Sequence, residues 1–140
     1  MAFRTTPIVL IVEDEPFITI FYEEIVIDAG LSVGESFASC KSAGEWLSVH
    51  NPDLAIIEIS LQGGNSAELA KKLCGRKIPF LDISGYSAKS DGIDEIFKSA
   101  PWVVKPVTPA SLHAALRAIG CVRTEQLNAT PASARPRWNL

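Results

Sequence analysis

Residues Pro52–Ser60 read PDLAIIEIS. The centre of this stretch, Leu54–Ile59, is a short apolar run with Glu58 near its carboxyl end. A run of this length behind a turn signal (Asn51-Pro52) predicts a strand buried on both faces, as in a parallel sheet. In open α/β sheets, chemistry gathers in the crevice beyond the carboxyl ends of the strands. Glu58 therefore stands where a reactive acid is expected.

Upstream, Ile8–Val12 is a β-branched and leucine run that predicts a first strand. It ends in Glu13, Asp14 and Glu15, with Pro16 behind them. Proline suits the first turn of a helix, and acids there favour its dipole, so a helix is expected from Pro16 to Ala29, closed by Gly30. Ile18, Phe21, Tyr22, Ile25 and Ala29 have the spacing of its core stripe. Phe17, Ile20 and Ile27 fall outside that stripe and should face out. Leu31–Phe37 predicts a second strand broken by Gly34. Ser39 can cap a short helix to about Val49, with Trp46 and Leu47 as apolar contacts.

Downstream, LQGGNS leads into a helix from Ser66 to Leu73. Pro79–Ser84 predicts a fourth strand and Trp102–Val104 a fifth, with only a short helix around Ile93, Ile96 and Phe97 between them. A last helix starts at Thr108 or Ser111, buries Leu112, Ala115, Leu116 and Ile119, and ends at Gly120. Repeated strand–helix units imply a parallel sheet with right-handed crossovers and helices on both faces. Residues 1–120 are expected to form that domain. Residues 121–140, rich in Pro, Ala, Ser and Arg, are too few for a second one. They read as an interaction or dimerisation arm anchored by Trp138, with Val122 and Leu127 as further handles.

Composition narrows the function. The chain has 140 residues, 47% hydrophobic and 21% charged, with a net charge of −3. That is a globular balance, and it supplies no field for nucleic acid or an anionic membrane. The first residues, MAFRTT, lack an apolar signal core. Cys40, Cys74 and Cys121 are odd in number and show no metal-like spacing, which suggests reduced thiols in a cytoplasmic protein. His50 and His113 read as surface or helix-face side chains.

At the strand ends, Glu13, Asp14 and Glu58 bring three carboxylates, Ser84 a hydroxyl and Lys105 an ammonium to one crevice. Clustered acids suit a hard cation such as Mg²⁺, and an opposing lysine supplies a point charge for phosphate or carboxylate. From residue 7 to about 120, this constellation resembles the receiver domain of two-component response regulators. The resemblance implies an α/β, flavodoxin-like doubly wound fold of five βα units with sheet order 2-1-3-4-5. It assigns Glu13 and Asp14 to the acidic pair and Ser84 to the hydroxyl that contacts a phosphoryl group. Trp102 takes the switch aromatic position, and Lys105 is the lysine followed by a cis-proline, Pro106. It places Mg²⁺, where bound, on Asp14, Glu58 and the backbone of Ser60, and names a sensor histidine kinase or histidine phosphotransfer domain as partner.

One position departs. The family's phosphoacceptor is an aspartate, and here it is Glu58. The added methylene moves the carboxylate outward by about 1.5 Å, and misplacement on this scale can cost in-line transfer about a hundredfold. The longer side chain also fills space meant for the phosphoryl group and weakens the expectation of bound Mg²⁺. Two readings of Glu58 stand: a partial imitation of phosphoaspartate, or a buried acid that pairs with Lys105 and locks one conformation. Either describes an atypical, stand-alone signalling module rather than an enzyme, acting by protein contact as a homodimer. The alternative is a Mg²⁺-dependent phosphoryl-transfer or phosphatase enzyme. Against it, a haloacid-dehalogenase-like phosphatase would need Asp-x-Asp where IVEDEP offers Glu-Asp-Glu. Asp82 shares a strand face with Ser84, and the sequence names no partner for it.

Overall fold

A computed structural model describes residues 6–59, 66–84, 95–98 and 100–119. The elements in chain order are β1 (Ile8–Val12), α1 (Pro16–Asp28), β2 (Ser32–Phe37), α2 (Cys40–Leu47), β3 (Leu54–Glu58), α3 (Ser66–Gly75), β4 (Phe80–Ser84), α4 (Glu95–Lys98), β5 (Trp102–Val104) and α5 (Pro109–Ala118). The five strands form one parallel sheet in the order β2-β1-β3-β4-β5. This is the flavodoxin-like arrangement that the strand–helix alternation predicts. The glycine-rich loop 60–65, the segment 85–94 and the tail 121–140, with Ser60 and Cys121, lie outside the described residues.

Each face of the sheet carries its own core. On one side Val9, Ile11, Leu54, Ile56, Leu81, Ile83 and Val103 pack beneath α1 and α5. On the other, Leu10, Val12, Ala55, Ile57 and Phe80 pack beneath α2, α3 and α4. Adjacent residues of one strand thus serve opposite cores, so β1 and β3 are apolar at every position up to Glu58. In α1 the buried positions are Tyr22, Ile25 and Val26, followed by Ala29, while Ile18 and Phe21 are only partly covered. Val26 is an addition to the expected stripe. Phe17, Ile20 and Ile27 do face out, Phe17 at 86% exposure.

Local chemistry fixes the ends of the elements. Ser39 caps α2 by accepting from the Ser42 amide. Thr108 rather than Ser111 starts α5, and the two exchange side-chain and backbone bonds as a capping box. His50, a surface side chain as expected, stacks on Trp46 at 4.4 Å and bonds to the Trp46 carbonyl through Nδ1. The Arg76 guanidinium donates to the Leu47 and His50 carbonyls and to Asn51, satisfying groups at the end of α2.

Gly34 breaks the β1–β2 ladder, as expected, without ending β2. The β1–β2 register slips there, from Val9↔Val33 to Leu10↔Glu35, and the strand continues. A Cβ at position 34 would stand 2.6 Å from Ile8 Cγ2 and 3.2 Å from the Trp46 ring. The glycine is thus demanded by close approach rather than by a turn. Gly34→Ala is expected to cost about 1–3 kcal/mol, the usual range for overpacking, read as a lowered midpoint in urea denaturation with an unchanged slope.

Candidate functional site

The parallel order sends the carboxyl ends of β1, β3, β4 and β5 to one edge of the sheet. Val12 pairs with Ile57, Glu58 with Ile83, and Ser84 with Val104. The residue after each strand is therefore delivered to the same place. Backbone bonds continue beyond the strands: the Glu13 amide donates to Phe37 O at 2.9 Å, Ile59 to Ile83 O at 3.0 Å, and Lys105 to Ser84 O at 2.8 Å. The Lys105-Pro106 peptide bond is cis.

Within this edge Lys105 Nζ lies 2.6 Å from Glu58 Oε1. Glu58 is almost fully buried, at 3% exposure, whereas the lysine keeps about a third of its side chain in water. Burial works to lower the Lys105 pKa, but contact with Glu58 and the charges of Glu13 and Asp14 outweigh it and hold the pKa above its ordinary value. The ammonium is thus firmly charged and faces three acids. Glu13 is also buried. Its Oε2 accepts from the Glu15 amide at 3.0 Å, while its Oε1 has no hydrogen-bond partner among the described residues. Burial pushes its pKa up to about 7, helped by the negative charge of Glu58 and opposed by the Glu15 amide and Lys105. Asp14, the other member of the acidic pair, is half-buried. Near neutrality the pocket therefore holds one firm ion pair beside an acid on the edge of ionisation.

Ser84 is wholly buried at the end of β4, and Trp102 is half-buried at the start of β5, in register with Asp82. Glu13, Asp14, Glu58, Ser84 and Lys105 all gather at the carboxyl edge, whereas Trp102 enters from the opposite end of its short strand. Two α1 residues that sequence reasoning does not single out also border the site. Thr19 Oγ1 donates to the Glu13 and Glu15 carbonyls, at 3.2 and 3.1 Å. Tyr22 has its pKa raised by burial and then by Glu13 and Glu58. Their place in the first turns of a helix that begins beside the acids is the signal that could have found them.

The fit to a divalent cation is incomplete. One oxygen of Glu58 is engaged by Lys105, and Ser60 lies outside the described residues. Among the described residues, no three His, Cys, Asp or Glu side chains are placed to hold a metal. Receiver domains commonly bind Mg²⁺ in the acidic pocket; in this chain the lysine competes for an oxygen that such an ion would use. No described helix is long and apolar enough to cross a membrane.

Comparison with known proteins agrees with this geometry. Comparison with curated proteins gives no match. Among solved structures, SdrG from Pseudomonas melonis Fr1 in its BeF3-activated conformation is 31% identical, with a TM-score of 0.68 over 80% of this chain and 94% of that one. SdrG from Sphingomonas melonis Fr1 is 29% identical, with a TM-score of 0.69 over 82% and 97%. The PhyR receiver domain of Erythrobacter litoralis, at 24% identity and a TM-score of 0.70 over 79% and 87%, shares the fold. The model for the response regulator receiver domain matches residues 9–117. With that match across most of its length, the chain belongs to the response regulator receiver domain family.

Proposed function

We propose that this chain is an atypical receiver that signals by protein–protein contact with Glu58 in place of the phosphoacceptor aspartate. Its family is generally a signalling module of two-component systems rather than an enzyme, and receiver domains interact with histidine kinases or phosphotransfer proteins. The observation that carries the reading is the 2.6 Å contact between Glu58 and Lys105. In this reading the lysine meets a carboxylate supplied permanently by the chain, where a phosphorylatable member would meet a phosphoryl group only after transfer. The glutamate brings one charge and two oxygens against a phosphate's up to two charges and three oxygens. Ser84 and Trp102 are assigned to the switch, and Glu13 and Asp14 to the acidic pair. Loss of transfer follows from placement, since the longer side chain fills the space an incoming phosphoryl group requires.

The deciding experiment is incubation with acetyl phosphate and Mg²⁺ followed by intact-protein mass. The chain is expected to remain unmodified, and Glu58→Asp to gain a phosphate adduct and beryllofluoride binding. An adduct on Glu58 itself would overturn the reading.

Removing the lysine probes the pair. Lys105→Met leaves a buried carboxylate without its counter-charge and should cost about 1–3 kcal/mol at pH 7, less than for a fully buried pair because Lys105 is partly in water. Glu58→Gln added to Lys105→Met should recover most of that loss in chemical denaturation.

Self-association belongs to the same proposal. Residues 121–140 act as a dimerisation arm exchanged between two copies. Light scattering is expected to give a dimer for the full chain and a monomer for a chain ending at Arg123. A monomer in both, or an unchanged dimer after truncation, removes the arm.

A further inference from the structure

Asp82 stands in the middle of β4, wholly buried, and neither of its carboxyl oxygens has a hydrogen-bond partner among the described residues. The strand register fixes what it faces. Its neighbour on β3 is Ile57 and its neighbour on β5 is Trp102. Ile57 belongs, with Ala55, Phe80 and Phe97, to the core beneath α2, α3 and α4. Parallel partners in register point to the same face, so Asp82 is aimed into that core. On its own strand it lies between Phe80 and Ser84 on that face. Phe97 of α4 covers the face, meeting Phe80 edge to face at 6.2 Å.

Among the described residues, the surrounding elements offer no charge to this acid. On β3 the one acid, Glu58, is engaged by Lys105 beyond the sheet edge. β5 is Trp-Val-Val, and the described side chains of α4, Ile96 and Phe97, are apolar. On α3, Glu68, Lys71, Lys72 and Cys74 are turned away from the core, while Leu69, Ala70 and Leu73 face inward. Burial alone pushes the Asp82 pKa up to about 8. A carboxylate without partner or water is costly, so the group stays a neutral acid while its cover is closed. That cover is slight. A helix of four residues cannot persist by its own propensity and is held by docking alone.

We propose that Asp82 is a proton-operated latch on α4: the neutral acid lets Phe97 close this face, and loss of the proton forces it open beside Ser84 and Trp102. The step is a single ionisation. The carboxyl O–H breaks, the proton leaves to water, and the carboxylate is hydrated as the cover lifts. The opening is local, because β4, which carries Asp82, is paired on both sides while α4 is not.

The sign follows from the two pKa values. Opened or unfolded, Asp82 titrates near the ordinary value of about 3.9; closed, it titrates near 8. Between them, opening releases a proton, so the closed form loses about tenfold in relative population per pH unit, and nothing further above that window.

The test uses the full chain between pH 5 and 9. Carbon-13 NMR of the Asp82 carboxyl is followed together with the Trp102 indole N–H signal. The carboxyl is expected to titrate with a midpoint well above the ordinary value of about 3.9 and no higher than about 8, the Trp102 signal to move with the same midpoint, and Asp82→Asn to abolish that movement. Should Asp82→Asn fail to fold, Asp82→Val serves, since a β-branched apolar residue suits a buried strand. An Asp82 carboxyl titrating near 4 would overturn the proposal. So would a Trp102 signal that stays fixed while Asp82 ionises, or one that still moves in the folded variant.

Discussion

A carboxylate buried at the end of a strand must find a positive charge or give up its own, and Glu58 finds Lys105. At contact distance and an intermediate dielectric, the attraction is on the order of several kcal/mol, opposed by desolvation of similar size. The pair therefore contributes position more than net stability. It joins the end of β3 to the residue just after β5, across β4, and can do so only in a sheet where those ends coincide. The neighbouring backbone bonds, Ile59 to Ile83 and Lys105 to Ser84, clamp the same three strands. The pocket is thus cross-linked by charge above and by amides below.

That pair also explains the state of its neighbours. Glu13 is buried as deeply as Glu58, but Lys105 does not touch it directly, so its charge is only partly compensated and its pKa drifts toward neutrality. One ammonium supports one buried carboxylate fully and a second only in part. Asp82 receives nothing from it and is driven higher than Glu13. The same physics, burial against available counter-charge, grades these acids from firmly paired to neutral.

Much of this was legible in the sequence because the fold is periodic. The bounds of the five strands and of α1, α2, α3 and α5 lie within one or two residues of those expected, and the order 2-1-3-4-5 followed from the alternation. The site was legible for a related reason: a parallel sheet puts strand-end residues in one place, so Glu13, Glu58, Ser84 and Lys105 could be gathered by counting. What escaped was set by three-dimensional fit. Gly34 reads as a breaker, yet its reason is the Ile8 and Trp46 side chains that close over it. Arg76, just beyond α3, carries no sequence signal, yet its fork closes the end of α2. Asp82 could be placed on its face by period-two counting, but the want of a partner there is a property of the assembled core.

The two halves of the sheet are not equally held. β1 and β3 lie between neighbours, with α1 of 13 residues packed along one face, while α5 of 10 residues lies over Val103 of β5. At the other end, β5 has three residues and one neighbour, and α4 has four. The apolar area each element buries scales with its length, and so does the energy resisting its displacement. A change in the pocket therefore meets least resistance along β4, α4 and β5. That is also where Ser84 and Trp102 stand and where the uncompensated acid is buried. The pocket is stiff on the side that carries Glu13 and compliant on the side that carries Lys105. A partner that draws the lysine outward thus works against few contacts beyond the ion pair itself.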